Sequence, residues 1–474
     1  MNLVRMIRVF LTVLYRLIGH CVQTIRPIRT PSPRLKNDGG QAPLRFSFSL
    51  FFLLLSLSFY ACPVPPTEPP QNTTITLEEI STGITGTTLK VAVEDSTEEW
   101  TFTLTRNDSV LLTQTVYQKD TLITDDGLNP TTQYNYRAYW MDGAIIKGSS
   151  NLASIMTGDT TSHDFFWEID TLGEYGSYLK DVAIINENDI WVVGLVKTDT
   201  ATYNAAHWDG NKWEMKQFIY SPSGVVHAGG SIQVFDENNI IIVAGTIFTW
   251  DGIEWEEWDI EVGTFPGGIN AIWGTSSSNM YFVGNSGSIV YYDGSSFEQM
   301  ESGTEVDITC VSGTADGEHI FACGHNDQGE SVVLKNNDIW QQIFYSDTYI
   351  GNITNNDFGR TSSLDIYNDK LYIVSTQALI KYSLSDGNID LDRYIKSEML
   401  LDTYTSITVQ SLNDIMLFGV LGNVLHYNGI SWSKNSDHDL PNIIFWNGEL
   451  KGNHAIMVGS HNYGGAVIVN GIRQ

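Results

Sequence analysis

Cysteine is scarce, with four in 474 residues, too few for the disulfide framework that holds small exported scaffolds together. Two of them, Cys21 and Cys62, lie near the start, which leaves Cys310 and Cys323 for the body of the chain. Basic residues are also few: 26 Lys and Arg against 55 Asp and Glu. Eight of those 26 fall in residues 1–61 beside a single acid, so the remainder carries 18 basic and 54 acidic side chains, a balance of −36. Phosphate recognition needs clustered Lys and Arg, so nucleic acid and anionic lipid are set aside as partners. The long runs of Ala, Leu, Glu and Lys that build helices are missing. What the chain has is 42 glycines, 12% aromatics and 42% hydrophobic residues. These predict many short strands, tight turns and a substantial core, and the length implies two or three domains.

Residues 1–61 read as a leader, with the signal proper at 45–61. Phe46 to Tyr60 is an uncharged apolar run between Arg45 and Ala61-Cys62, the layout of a secretory signal. Fifteen residues are too short to span a bilayer comfortably. The Ala-Cys junction resembles a bacterial lipoprotein signal, which implies lipidation of Cys62, although Phe59 and Tyr60 depart from that pattern's usual lead-in. Residues 62–71, with Pro63 to Pro70 reading PVPPTEPP, form an extended tether. The expected location is therefore exported, on the outer membrane or cell surface, with membrane contact through the lipid alone. Leu3 to Ile18 precedes this better signal, and the true start lies near residue 44 in this reading.

From 72 to 158 the chain alternates apolar and polar residues in short runs such as TLKVAVED, WTFTLTR and YNYRAYW, the pattern of an antiparallel sandwich. Leu128-Asn129-Pro130-Thr131-Thr132-Gln133-Tyr134-Asn135-Tyr136 resembles the L-x-P-x-T-x-Y-x-Y segment of fibronectin type III domains. The resemblance implies a structural role for Tyr134, whose hydroxyl would bond back to the preceding connection, and a core position for Tyr136.

Residues 164–474 repeat. Turn dipeptides recur at Asp209-Gly210, Asp251-Gly252, Asp293-Gly294, Asn337-Asp338, Asp386-Gly387, Asn428-Gly429 and Asn470-Gly471, and are expected to close two-residue hairpins. Aromatics flank most of them (HWDGNKW, TWDGIEW, YYDGSSF, HYNGISW). Strands ending in Gly, such as Ile190-Trp191-Val192-Val193-Gly194, lie upstream and are apolar on both faces. Four short strands in about 42 residues make one propeller blade, so the fold class is all-β: a fibronectin-type-III-like sandwich, then a seven-bladed β-propeller of four-stranded blades. The last repeat lacks its outer strand, and Phe165 to Asp170 is expected to supply it and close the ring, burying Trp167. The repeats resemble bacterial exported propellers built on (D)-I-W-x-V-G … G-x-I-x-Y-D-G-x-x-W, a likeness that speaks to fold and little to function.

Motifs for chemistry are sparse. Ten histidines give no H-x-x-x-H or HExxH, so no metal site is expected. Nucleophile-elbow and phosphate-loop contexts are missing. Asp386 to Asp392 offers oxygen ligands of the kind that hold calcium but lacks the distal Glu, and reads as an exposed acidic loop. Cys310 and Cys323 fall on adjacent strands of one repeat, where two small core residues and a cross-strand disulfide both fit. The long connections (Val196 to Asn204, Tyr220 to Gly230, His325 to Ser331, Phe344 to Thr361, Asn388 to Thr405) emerge on one face. That face carries Tyr203, Tyr220, His227, His325, Tyr345, Tyr349, Arg360, Tyr394, His461 and Tyr463, an aromatic and polar set suited to glycan or peptide contact. The leading expectation is a non-catalytic binding or scaffolding lipoprotein whose partner is a glycan or an exported protein, with no cofactor. The alternatives are a carbohydrate-active enzyme with its site in the central depression and an envelope assembly factor. Ligand identity and oligomeric state are not encoded in any motif.

Overall fold

The computed structural model describes residues 74–94, 99–348, 359–376, 378–392, 404–434 and 442–474. The signal, Cys62, the tether, Tyr349 and Tyr394 lie outside them. All the elements described are β-strands, and among the described residues no helix is long and apolar enough to cross a membrane.

The N-terminal part holds two sheets. One orders Ile75–Thr82, Gly86–Val93 and Asp120–Asp126; the other orders Ser109–Val116, Trp100–Arg106, Gln133–Asp142 and Ile145–Ser149, with Ala153–Met156 also pairing with Gln133–Asp142. Alternation along these strands points Leu89, Val91, Phe102, Leu104, Tyr136 and Ala138 into one buried cluster. The Tyr134 hydroxyl accepts the Asn129 N–H at 2.9 Å. Tyr136 is fully buried and donates to Asp125 at 2.7 Å, while Arg106 Nη1 reaches both Asp125 oxygens at 3.0 Å. A buried carboxylate is tolerated here because donors meet both of its oxygens.

From residue 165 onward the strands form seven four-stranded antiparallel sheets and one two-stranded hairpin, Ile219–Tyr220 with Val225–Val226, among the described residues. Sheet I comprises Tyr178–Asn186, Asp189–Lys197, Thr202–Trp208 and Trp213–Lys216. Sheets II to VI follow at 231–257, 271–300, 308–346, 361–392 and 404–434. Sheet VII joins Ile443–Lys451, His454–His461 and Ala466–Arg473 to Phe165–Leu172, whose register places Trp167 opposite Gly471 and Phe165 opposite Arg473. The first strand of every sheet neighbours the first strand of the next, and that of VII neighbours that of I, so the array closes into a ring.

Seven clusters fill the seams, one between each adjacent pair of sheets. Trp191 and Val193 pack toward sheet II with Ile240 and Ile242, while the alternate residues Ile190 and Val192 pack toward VII with Ile456 and Val458. A strand covered on both faces must be apolar at every position, which is why the I-W-V-V run does not alternate. Its closing glycine has a separate cause. In sheets I, IV, VI and VII the first strand bulges where it passes this glycine, and in sheet IV a Cβ on Gly324 would stand 1.9 Å from the Asp307 carbonyl oxygen.

The turn dipeptides work differently from the two-residue hairpins expected. Trp208 pairs with Trp213, leaving four residues in the loop. Asp209 keeps an ordinary φ and its carboxylate accepts the Asn211 and Lys212 N–H groups, so only Gly210 takes positive φ (89°). The aspartate is there to cap the turn with its side chain. Asn470-Gly471 is not a turn at all. It lies inside Ala466–Arg473, which runs straight because its neighbour arrives from the other end of the ring. The burial expected of Trp167 is partial: it packs on the cluster between sheets VI and VII, and Phe165 beside it is the more deeply buried. Trp167 is half-exposed, stacked on Phe165 at 5.2 Å.

Candidate functional site

Consecutive strands in each sheet are antiparallel, so the connections from second to third strand and from one sheet to the next emerge on the same side of the ring. On that side a groove of about 730 Å³ opens between sheets I, II and III. The connection at 217–230 supplies Tyr220 and Pro222, and the connection after sheet II supplies Trp258, Ile260, Val262 and Phe265. Glu257, Asp259 and Glu261 add negative charge, and Glu257 is partly spent on Ser221, whose N–H it accepts at 3.1 Å. Trp258 and Phe265 are held from behind by Phe297 (5.8 and 5.4 Å), whereas Val262 is 97% exposed. The result is a rigid aromatic floor with a free apolar rim.

The residues singled out by sequence do not gather into one cluster. Tyr220 and His227 meet at 5.8 Å beside the groove. His325 sits on sheet IV, where Nδ1 donates to the Thr361 carbonyl (2.9 Å) and Nε2 faces Arg360. Burial, then the Arg360 charge, lowers its pKa, so the ring is neutral at pH 7. Tyr345 donates to Glu330 at 2.8 Å on the same sheet. His461 and Tyr463 (6.3 Å apart) lie on sheet VII, and His461 also lines a smaller pocket of about 340 Å³ with Tyr175, Trp446 and Lys180. Lys180 stands 4.2 Å over the Trp446 ring, and burial lowers its pKa. Tyr203 pairs with Val196 and packs on the seam between VII and I, because the expected insertion at Val196 to Asn204 is mostly a longer hairpin. Trp258, Phe265 and Val262 were not expected. Each sits in a connection whose sequence has no periodicity, so only the fold brings them together.

The central channel holds a second feature that composition hid among 55 acids. Its wall, around a cavity of about 470 Å³, includes Asp365 and Glu449. Burial pushes the Asp365 carboxyl up to about 6 and the Glu449 carboxyl up to about 7. Each ties two sheets together. Glu449 of VII accepts the Ile184 N–H of I at 2.6 Å, and Asp365 of V accepts the Val409 N–H of VI at 2.7 Å. Asp181 of sheet I does the same with the Ile232 N–H and Ser231 hydroxyl of II, both at 2.9 Å, and also receives Asn447 at 2.7 Å. These carboxyls latch neighbouring first strands. Among the described residues no group of His, Cys, Asp and Glu is placed to hold a metal ion. Asp386, in the acidic loop that resembled a calcium clasp, uses its oxygens on Asn388.

The N-terminal sheets lie against the opposite side of the ring. Asn413 and Gly429, both in short turns of sheet VI, meet the N-terminal part: Asn413 Nδ2 donates to the Asp159 carbonyl at 2.7 Å, and a Cβ on Gly429 would stand 2.3 Å from Ile84.

No protein-family model matches the sequence, and no curated protein matches it. Solved structures do. A structure described as YCF48 bound to D1 peptide aligns over 67% of this chain and 100% of its own, with 14% identity and a TM-score of 0.51. YCF48 from Cyanidioschyzon merolae aligns over 64% and 98%, with 12% identity and a TM-score of 0.47. The extracellular domain of a putative hybrid two component system, BT4673 from B. thetaiotaomicron, aligns over 65% and 40%, with 13% identity and a TM-score of 0.47. At these identities the likeness concerns fold alone, and with the first of them, at a TM-score of 0.51, the ring of repeated four-stranded sheets is a β-propeller fold.

Proposed function

We propose that this chain is a non-catalytic binding and scaffolding lipoprotein of the cell envelope that engages an exported protein through the face carrying the long connections. In this reading residues 164–474 are a seven-bladed propeller closed by Phe165–Leu172. Residues 72–158 are a fibronectin-type-III-like spacer, supported by the strand order of its two sheets and by the Tyr134–Asn129 bond. Cys62 carries the lipid; Cys62→Ser should then release the protein from the membrane fraction.

One observation carries the reading. The N-terminal sheets pack against the short-turn side, so the groove side faces away from them, with its aromatic floor partly exposed. Exposed aromatic and aliphatic side chains on a rigid support are what protein interfaces use as anchors. A protein ligand is favoured over a glycan by the free aliphatic rim at Val262, and a propeller described as bound to a peptide is a precedent for that class of ligand. An enzyme in the channel is disfavoured because its buried carboxyls already accept backbone N–H groups.

The test is capture of partners from solubilised envelope by the full chain and by Val262→Asp, alongside a glycan array. Val262→Asp should abolish capture at an unchanged melting temperature. Capture that survives it moves the site off this face, and array binding replaces the protein ligand with a glycan.

A further inference from the structure

The described residues contain two cysteines, and they are each other's cross-strand partners: Cys310 on the first strand of sheet IV stands opposite Cys323 on the second. The equivalent pair recurs in every sheet. It is Asp181 and Val193 in I, Ser231 and Val243 in II, Ala271 and Val283 in III, Ser363 and Val374 in V, Ser406 and Phe418 in VI, and Asn447 and Val458 in VII. The second-strand position is thus valine five times and phenylalanine once, always buried. Packing alone asks for a valine there. Only where the first-strand partner is cysteine does the second become cysteine too.

Opposed residues of an antiparallel pair point to the same face with Cα atoms roughly 4.5–5.5 Å apart, inside the roughly 4.4–6.8 Å that a disulfide spans. Both cysteines are free thiols. They differ in access. Cys323 is fully buried among Phe321, Val333 and Leu364, whereas Cys310 is half-buried and lines the channel cavity. One thiol is therefore reachable by a small oxidant and the other only by its neighbour.

We propose that Cys310 and Cys323 form a reversible cross-strand disulfide, made by exchange with a low-molecular-weight disulfide entering the channel. The Cys310 thiolate attacks one sulfur of the external disulfide, forming a mixed disulfide and expelling one thiolate, which takes up the proton Cys310 has lost. The Cys323 thiolate then attacks the Cys310 sulfur and expels the second thiolate, which takes up the Cys323 proton. Two electrons pass to the oxidant, one protein S–S bond forms, and two small thiols leave. The bond also ends the weak Cys310 Sγ donation to the Leu364 carbonyl of sheet V (3.6 Å), exchanging a link between sheets for one within a sheet.

The experiment exposes the native full chain to oxidised glutathione, blocks residual thiols, and digests without reduction using a protease that cuts at acidic residues. Asp316 and Glu318 lie between the two cysteines, so the bond appears as two fragments joined and two hydrogens lighter, separated by reductant. Cys21 and Cys62 give other fragments. Cys323→Val, the residue that five sheets place there, keeps the fold and should trap glutathione on Cys310. Unreacted native thiols, or a glutathione adduct that persists on Cys310 when Cys323 is present, would overturn the proposal.

Discussion

Glu449 shows how one residue's protonation enters the stability of the ring. Its carboxyl has an ordinary value of 4.5 in the unfolded chain and rises to about 7 by burial in the channel wall. A raised acid binds its proton more tightly in the native state. Its contribution is therefore fully present below pH 4.5 and is lost as pH climbs from there to about 7, by roughly 3 kcal/mol for a shift of this size. Glu449→Gln keeps an oxygen for the Ile184 N–H and removes the charge. It should match the parent in urea denaturation at about pH 4.5 and exceed its stability at about pH 8. A variant weaker at both values would mean that the nearby Lys451, which donates to the Ile184 carbonyl at 2.7 Å, holds the carboxylate charged. Asp365, raised to about 6, pulls in the same direction over a narrower range.

At the scale of one element, Phe165–Leu172 and the segment before it dock through a histidine pair. His163 Nδ1 and His426 Nδ1 stand 2.8 Å apart, and Asp414 accepts His426 Nε2–H at 2.9 Å. With that tautomer the neutral His426 ring offers a lone pair at Nδ1, and His163 donates to it. Arg473 binds Asp414 and lies 5.0 Å over Phe165, and the Gln474 N–H donates to the Asp164 carbonyl. Burial first, and then the neighbouring His426, lower the His163 pKa; Asp164 raises it and Arg473 lowers it. A lowered histidine stabilises the native state fully above its unfolded value of 6.5, and that stability is lost as pH falls below it. Protection of the Phe165–Leu172 amides, taken relative to their intrinsic exchange rates, should therefore be lower at about pH 5.5 than at about pH 7.5. His163→Ala should remove the difference, and an unchanged difference in that variant would place the sensitivity elsewhere.

For the whole molecule, closure decides cooperativity. Each sheet shares a seam with two neighbours, and sheet VII is completed by a strand that precedes sheet I in sequence. A ring of this kind has no terminal sheet from which to fray, so it should unfold in one transition. Phe165→Ala leaves a hole in the seam between VI and VII and should cost about 3–5 kcal/mol. It should also split the denaturation curve, with tryptophan fluorescence and far-ultraviolet circular dichroism no longer coinciding. Coincident curves in that variant would mean the other seams suffice to hold the ring together.

The sequence alone determined the strand pattern, the repeat and the partner of the last three strands, because apolar runs and turn residues are local signals written once in about every 42 residues. Trp167 could be matched to the outer strands by pattern, but which of Phe165 and Trp167 would be the more deeply buried depended on how the strand meets sheet VI. The turn dipeptides marked a real turn everywhere except at Asn470-Gly471. That the aspartate caps the loop, and that Asn470-Gly471 runs straight through, depended on which strand lay alongside. Tertiary structure also decided the groove. Trp258, Val262 and Phe265 have no spacing that marks them, and the latching acids Asp181, Asp365 and Glu449 look like any other acid in a chain of this charge. Burial and opposition across strands are properties of the closed ring, and no window of neighbouring residues contains them.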